Sequence, residues 1–148
     1  MIFVIRDGQP AERAALEDLQ RRASLMWNQH RAYLLANPDA IALPLAHLAQ
    51  GRVRVAAMAG KPAGFAALLP RPGGVADLDG LFVEPALWRR GIGRALVCDA
   101  LARLAPGAIL AAVAHPGAQG FYEKLGFVRV GVVQTQFGQA ERMCHGRS

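Results

Sequence analysis

Apolar and polar residues alternate along this chain with two different periods, and the changes of period mark out its elements. Phe3-Val4-Ile5-Arg6 is a short β-type run closed by an Asp7-Gly8 turn. Gln9-Pro10 then predicts a helix start, with Pro at the first helical position and Glu12 in the first turn. Up to about residue 27, Leu16, Leu19, Ala23, Met26 and Trp27 recur at three- and four-residue spacing while Glu12, Arg13, Glu17, Arg21 and Arg22 take the other positions, the pattern of an amphipathic helix. Residues 29–36 predict a second short helix stopped by Asn37-Pro38. Pro44 opens a third through Leu48, ended by Gly51.

Beyond Gly51 the period shortens to two. Val53 to Ala59 and Ala63 to Leu69 are apolar runs on either side of Gly60-Lys61-Pro62, which marks a hairpin. Arg71-Pro72-Gly73-Gly74 makes a second turn, and Val75 to Val83 is the third strand of an antiparallel meander. Alternation places Asp77, Asp79, Leu81 and Val83 on one face of that strand and Ala76, Leu78, Gly80 and Phe82 on the other. Gly80 inside a strand signals a bulge or a close backbone approach.

The helical period returns over Gly91 to Leu104, with Ile92, Leu96, Val97, Ala100, Leu101 and Leu104 on one side and Asp99 four residues before Arg103 on the exposed side. Ala108 to Ala114 is a continuous apolar run suited to a central strand. A strand–helix–strand crossover of this kind makes the third meander partner and this strand parallel. A short helix over Ala118 to Leu125 is closed by Gly126. Phe127 to Thr135 forms a strand, and Phe137-Gly138-Gln139 turns the chain into a last short strand near Arg142-Met143.

One junction carries chemistry. Val83 to Leu96 runs from a strand through a tight basic loop into a helix, where the first N–H groups have no intrahelical partner and the macrodipole adds positive charge. Glycines at 91 and 93 bring the backbone close, and Arg89, Arg90 and Arg94 surround the same point with forks that can each take two phosphate oxygens. A pyrophosphate is the expected occupant. The loop is neither a Rossmann fingerprint, because Leu96 stands where a third Gly or Ala is needed, nor a P-loop, because no G-x-x-x-x-G-K-[ST] occurs.

Instead the segment resembles motif A of the GNAT N-acetyltransferase superfamily, V-x-P-x-x-[QR]-x-x-G-x-[GA], with Val83, Pro85, Gly91 and Gly93 in place and Trp88 where Gln or Arg is usual. Phe121-Tyr122-Glu123-Lys124-Leu125-Gly126-Phe127 is similar to motif B of the same superfamily. The motifs cover roughly residues 75 to 135, and the element order extends the resemblance over the chain. It implies an α/β fold with a mixed sheet in a single domain, 1–148: strand 1 then helices, antiparallel strands 2–4, parallel strands 4 and 5 joined by the pyrophosphate-binding helix, and antiparallel strands at the C-terminus. It implies acetyl-CoA as cofactor, held by Leu81, Phe82, Val83, Arg89, Arg90, Gly91, Ile92, Gly93, Arg94, Ala95, His115 and Tyr122. Gly80 then corresponds to the place where the family's strand 4 splays from strand 5. His115 stands where the family commonly has Asn. The helices after strand 1 line the family's acceptor site, which makes Trp27, His30 and Tyr33, with Met26, candidates for substrate contact, although such residues at helical spacing equally serve packing.

Composition narrows the rest. With 53% hydrophobic and 19% charged residues, and no apolar run of bilayer-spanning length, the chain reads as one soluble globular domain. It opens directly on a strand, without the pattern of a secretory leader, so a cytoplasmic location is expected. Cys98 and Cys144 lack metal or redox spacing, and neither a disulfide nor a metal is expected. The net charge of +6 comes from 17 basic residues, 15 of them Arg, and suits an anionic ligand. The arginines are scattered without aromatic interleaving, so no nucleic-acid partner and no membrane partner are expected. Oligomeric state is open, a homodimer included.

The resemblance implies direct acetyl transfer to an amine within a ternary complex. Tyr122 stands at the position that protonates the leaving thiolate, its alternative role being ring packing. Asp79 is the first candidate for general base, with Asp77 or a water chain as alternatives. Backbone N–H groups near Val83 would hold the pantetheine and polarise the carbonyl. The alternative reading is a non-catalytic acyl-CoA sensor of the same fold. The acceptor amine is not legible in the sequence.

Overall fold

The alternating runs form seven strands: β1 (Val4–Asp7), β2 (Val53–Met58), β3 (Lys61–Arg71), β4 (Val75–Val83), β5 (Ile109–Ala114), β6 (Val128–Thr135) and β7 (Gly138–Gly146). In the computed structural model, which describes residues 2–135 and 138–146 without the side chains of Asn28 and Gln29, they make one mixed sheet in the order β1-β2-β3-β4-β5-β7-β6. The helices are α1 (Arg13–Ser24), α2 (Asn28–Ala36), α3 (Leu45–Ala49), α4 (Ile92–Arg103) and α5 (Gln119–Lys124). β4 and β5 are parallel, as the crossover through α4 requires, and pair from Val75 opposite Ile109 to Leu78 opposite Ala112. The ladder ends there, although β4 continues to Val83 and β5 to Ala114.

The chain gathers into two compact units. The first comprises the residues up to Ala67 with Gly80–Asp99. Its core packs Leu16 and Leu19 of α1 and Leu48 of α3 against Val53, Val55 and Ala57 of β2 and Phe65 of β3, with Phe82 of β4 against the same cluster. α4 lies close over β3 because Gly64 has no side chain: a Cβ there would sit 2.9 Å from the Phe82 carbonyl oxygen and 3.1 Å from Ile92 Cγ2. The second unit comprises Leu68–Asp79 and the residues from Ala100 onward. It buries Leu110, Ala112 and Ala114 of β5, Tyr122 of α5, Phe127, and Ala140 and Met143 of β7.

Several boundaries differ from the sequence expectation. The first helix begins as a 3₁₀ turn at Pro10–Glu12, continues as α1 and stops at Ser24 rather than near residue 27. The Met26 and Trp27 N–H groups bond three residues back, to Ala23 and Ser24, which tightens and ends the helix. The β2–β3 turn falls one residue early, at Ala59 and Gly60, both with positive φ (51° and 80°), as a two-residue hairpin of the right twist demands. Lys61 and Pro62 therefore belong to β3, where Pro62 faces Ala57 beside a register shift that tolerates its missing N–H.

Asp99 does not pair along the helix with Arg103; it accepts both Nε and Nη2 of Arg54 on β2. Gly80 is explained by close approach, since a Cβ there would lie 2.7 Å from the Phe82 ring. The last strand is nine residues long rather than short and lies between β5 and β6, antiparallel to both. Its predicted turn includes Phe137, which lies outside the described residues. β6 carries a register shift between Arg129 and Gly131.

Candidate active site

At the end of β4 the chain leaves the sheet through a 3₁₀ turn, Pro85–Leu87, and reaches α4 after four intervening residues. The Glu84 N–H donates to the Ala63 carbonyl at 2.8 Å, and the Glu84 carboxylate accepts Arg22 Nε of α1 at 3.0 and 3.1 Å. Arg89 then takes a left-handed φ of 65° and Gly91 one of 84°. A Cβ on Gly91 would meet nothing within 4 Å, so glycine is needed there for its backbone angle and not for space.

These two left-handed residues turn the backbone so that its donors go unused. Among the described residues, no group accepts the N–H of Arg89, Arg90, Gly91, Ile92, Gly93 or Arg94. The first satisfied donor is the Ala95 N–H, bonded to the Gly91 carbonyl at 3.0 Å. Arg89, Arg90 and Arg94 are exposed and make no ion pair with a described residue. Arg6, Arg13, Arg22, Arg54, Arg71 and Arg129 each do. Six open donors and three unneutralised guanidinium groups on one loop are the chemistry that a compact polyanion would need.

Trp88, in the motif position usually held by Gln or Arg, does not face that anion site with a charge. Its indole N–H donates to the Val83 carbonyl at 2.8 Å, and its ring lies against Trp27 with centroids 6.1 Å apart. Trp27 is the extended residue just before α2, so the α1–α2 connection reaches this loop. Of the other acceptor-site candidates, His30 is buried and Tyr33 half-buried on α2. Phe82 packs its ring on Phe65 at 5.3 Å between centroids. Leu81 and Val83 are half-buried.

In the second unit, β5 ends at Ala114 and His115 follows it, with burial pulling its imidazole pKa down. α5 sets Tyr122 between Phe121 and Phe127, edge-on to both rings at 5.1 and 5.2 Å. Burial pushes the Tyr122 phenol up to about 12. Among the described residues nothing hydrogen-bonds its hydroxyl. Asp77 is engaged by Arg71, whose Nε lies 2.6 Å from Oδ2. Asp79 is exposed and has no partner among the described residues. No cluster of His, Cys, Asp and Glu able to hold a metal occurs among the described residues, and both cysteines are free. No helix is long and apolar enough to cross a membrane.

The sequence reading singled out the loop and Tyr122 as candidates and did not anticipate the Arg22–Glu84 and Trp27–Trp88 contacts at the loop. The one signal pointing to them was the departure of Trp88 from its motif.

A family model for acetyltransferase (GNAT) domains matches residues 49–129, more than half of the chain. Among solved structures, the chain is similar to the ribosomal-protein-S18-alanine N-acetyltransferase of Escherichia coli, with a TM-score of 0.72 and 20% identity over 99% of this chain and 95% of that one. It is also similar to the PaiA N-acetyltransferase of Thermoplasma acidophilum in complex with coenzyme A, with a TM-score of 0.74 and 17% identity over 99% of each chain. An aminoglycoside 6′-N-acetyltransferase complexed with coenzyme A gives a TM-score of 0.76 and 21% identity over 99% of this chain and 97% of that one. No curated protein sequence matches significantly. Parallel β4 and β5 joined through the anion loop and α4, together with the matched segment, settle the family: this chain belongs to the GNAT acetyltransferases.

Proposed function

We propose that this protein is an N-acetyltransferase that moves the acetyl group of acetyl-CoA directly to an amine within a ternary complex. The observation that carries the reading is the run of six N–H donors from Arg89 to Arg94 beside three arginine side chains, all without a partner among the described residues, which suits the diphosphate of coenzyme A. Arg89, Arg90, Gly91, Ile92, Gly93, Arg94 and Ala95 form the diphosphate site in this reading. Leu81, Phe82 and Val83 are the residues that would hold the pantetheine through their backbone, and His115 and Tyr122 are those that would serve the thioester end.

Acetyl-CoA, when bound, would supply the acetyl group, so that a C–N bond to the amine would form as the thioester C–S bond breaks. Tyr122 supplies a proton to the departing thiolate. With the phenol at about 12 and an ordinary thiol near ~8.5, complete transfer is uphill by about 5 kcal/mol on its own. The phenol therefore acts first as a hydrogen-bond donor, and the surplus proton of the acetylated nitrogen restores it. Asp79, exposed and unpaired, is the group proposed to take the proton that frees the amine. Trp27, His30 and Tyr33 are the proposed acceptor contacts.

Thiol release from acetyl-CoA, followed across a panel of small amines, amino acids and peptide N-termini, tests the reading. Acceptor-dependent release supports it. Tight acetyl-CoA binding without release on any acceptor would make the protein an acyl-CoA sensor instead.

A further inference from the structure

The chain has two tryptophans, and they touch. Their indole N–H groups are not equivalent: that of Trp88 is bonded to the Val83 carbonyl, and that of Trp27 has no acceptor among the described residues. Val83 is the last residue of β4, and Trp88 is the last residue before the open donors begin. The Trp88–Val83 bond therefore closes an arch over Glu84, Pro85, Ala86 and Leu87. The same arch is fixed by Glu84 N–H to Ala63, by Leu87 N–H to the Glu84 carbonyl at 2.8 Å, and by Arg22 on the Glu84 carboxylate. Directly beyond it Arg89 holds a left-handed φ that a side chain disfavours, so the surroundings must impose it.

We infer that Trp88 is the positioning residue of the anion loop: its indole N–H fixes where the Arg89 turn starts, and its ring ties the loop to the α1–α2 connection through Trp27. The inference rests on reading that loop as the diphosphate site. Trp88 need not touch phosphate. It presents the Arg89–Arg94 donors already arranged, so less ordering has to accompany binding.

The first measurement uses the unmodified protein with ¹⁵N-labelled indoles, which gives two N–H signals. One should exchange slowly with solvent and shift on addition of coenzyme A; the other should exchange fast. Equal, fast exchange of both would overturn the inference, whether or not any variant folds.

The second compares Trp88→Phe with the unmodified protein by calorimetric titration of coenzyme A and of pantetheine, which lacks the diphosphate. Loss of one net hydrogen bond should raise the Kd for coenzyme A about three- to tenfold. The Kd for pantetheine should change less than about twofold. Equal losses for both ligands would show an effect along β4 and overturn the inference, as would an unchanged Kd for coenzyme A. Failure of the unmodified protein to bind coenzyme A would overturn the diphosphate reading itself and this inference with it.

Discussion

Arg54 grips both carboxylate oxygens of Asp99, Nε to Oδ2 at 3.0 Å and Nη2 to Oδ1 at 3.1 Å, and reaches Asp7 Oδ1 with Nη1 at 2.9 Å. One guanidinium thus joins β1, β2 and α4. The hydrogen bonding that Arg54 donates to Asp99 is the main reason its pKa is raised, and both side chains of that pair are only 18% exposed. Removing the cation would leave two carboxylates near each other without a partner. Arg54→Ala should therefore cost about 1–3 kcal/mol in urea unfolding, and Asp99→Asn less, because it leaves the Asp7 contact in place.

The left-handed residues of the anion loop predict opposite signs for stability and binding. Arg89→Gly removes a strained φ and should leave the protein as stable or up to about 1 kcal/mol more stable, while weakening acetyl-CoA binding through the lost cation. Gly91→Glu combines a strained angle with an anion in the site and should abolish binding. Calorimetry for affinity and urea midpoints for stability, on the same preparations, check both; unchanged affinity in a folded Gly91→Glu protein would remove the loop from the cofactor site.

Tyr122→Phe keeps the ring between Phe121 and Phe127 and removes the hydroxyl alone. With a confirmed acceptor, kcat should fall by about 10²- to 10⁴-fold with little change in acetyl-CoA affinity. A fall below about threefold, with product release excluded as the slow step, would return Tyr122 to packing. Because the folded pKa of about 12 lies above the ordinary value of 10.0, the native state holds this proton more tightly than the unfolded chain. The resulting stability is complete below pH 10 and lost as the pH rises toward about 12, at up to about 1.4 kcal/mol per unit. The Phe variant should lack that alkaline loss.

At the acid end the relevant group is Glu12. Arg6 binds both of its oxygens, at 2.8 and 2.7 Å, and the Gln9 N–H adds a third bond at 3.0 Å. The Arg6 hydrogen bond is the main cause holding the Glu12 carboxyl below its ordinary 4.5. A depressed carboxylate pKa contributes stability above the unfolded value, and that stability disappears as the pH falls through the folded one. Urea midpoints of the protein and of Glu12→Gln should differ at pH 7 and converge as the pH falls below the ordinary carboxyl value.

Local structure was legible in the sequence. The Val83–Gly93 loop, the F-Y-E-K-L-G-F segment and the parallel β4–β5 pair all follow from neighbouring residues and short-range rules. What the sequence hid depends on distant partners. Asp99 has Arg103 four residues on, yet its partner is Arg54, 45 positions away. Trp88 shows only that it breaks a motif; the Val83 carbonyl and the Trp27 ring explain why it can. The length of β7 was invisible because only Ala140 and Met143 of Gly138–Gly146 are buried, and the strand is held by backbone bonds to neighbours on both sides.

The register shift between Arg129 and Gly131 has a consequence for how the protein behaves at high concentration. β6 is the outer strand of the sheet and exposes Val128, Val130 and Val132 at 63%, 55% and 48%. Such a strand invites another chain to add on, and a kinked ladder is a poor template for one. Deleting Val130 would straighten the rim and should turn a dispersed protein into one that scatters light as it is concentrated. That outcome would give the irregular residue a part in keeping the rim unpaired, separate from any role of the anion loop.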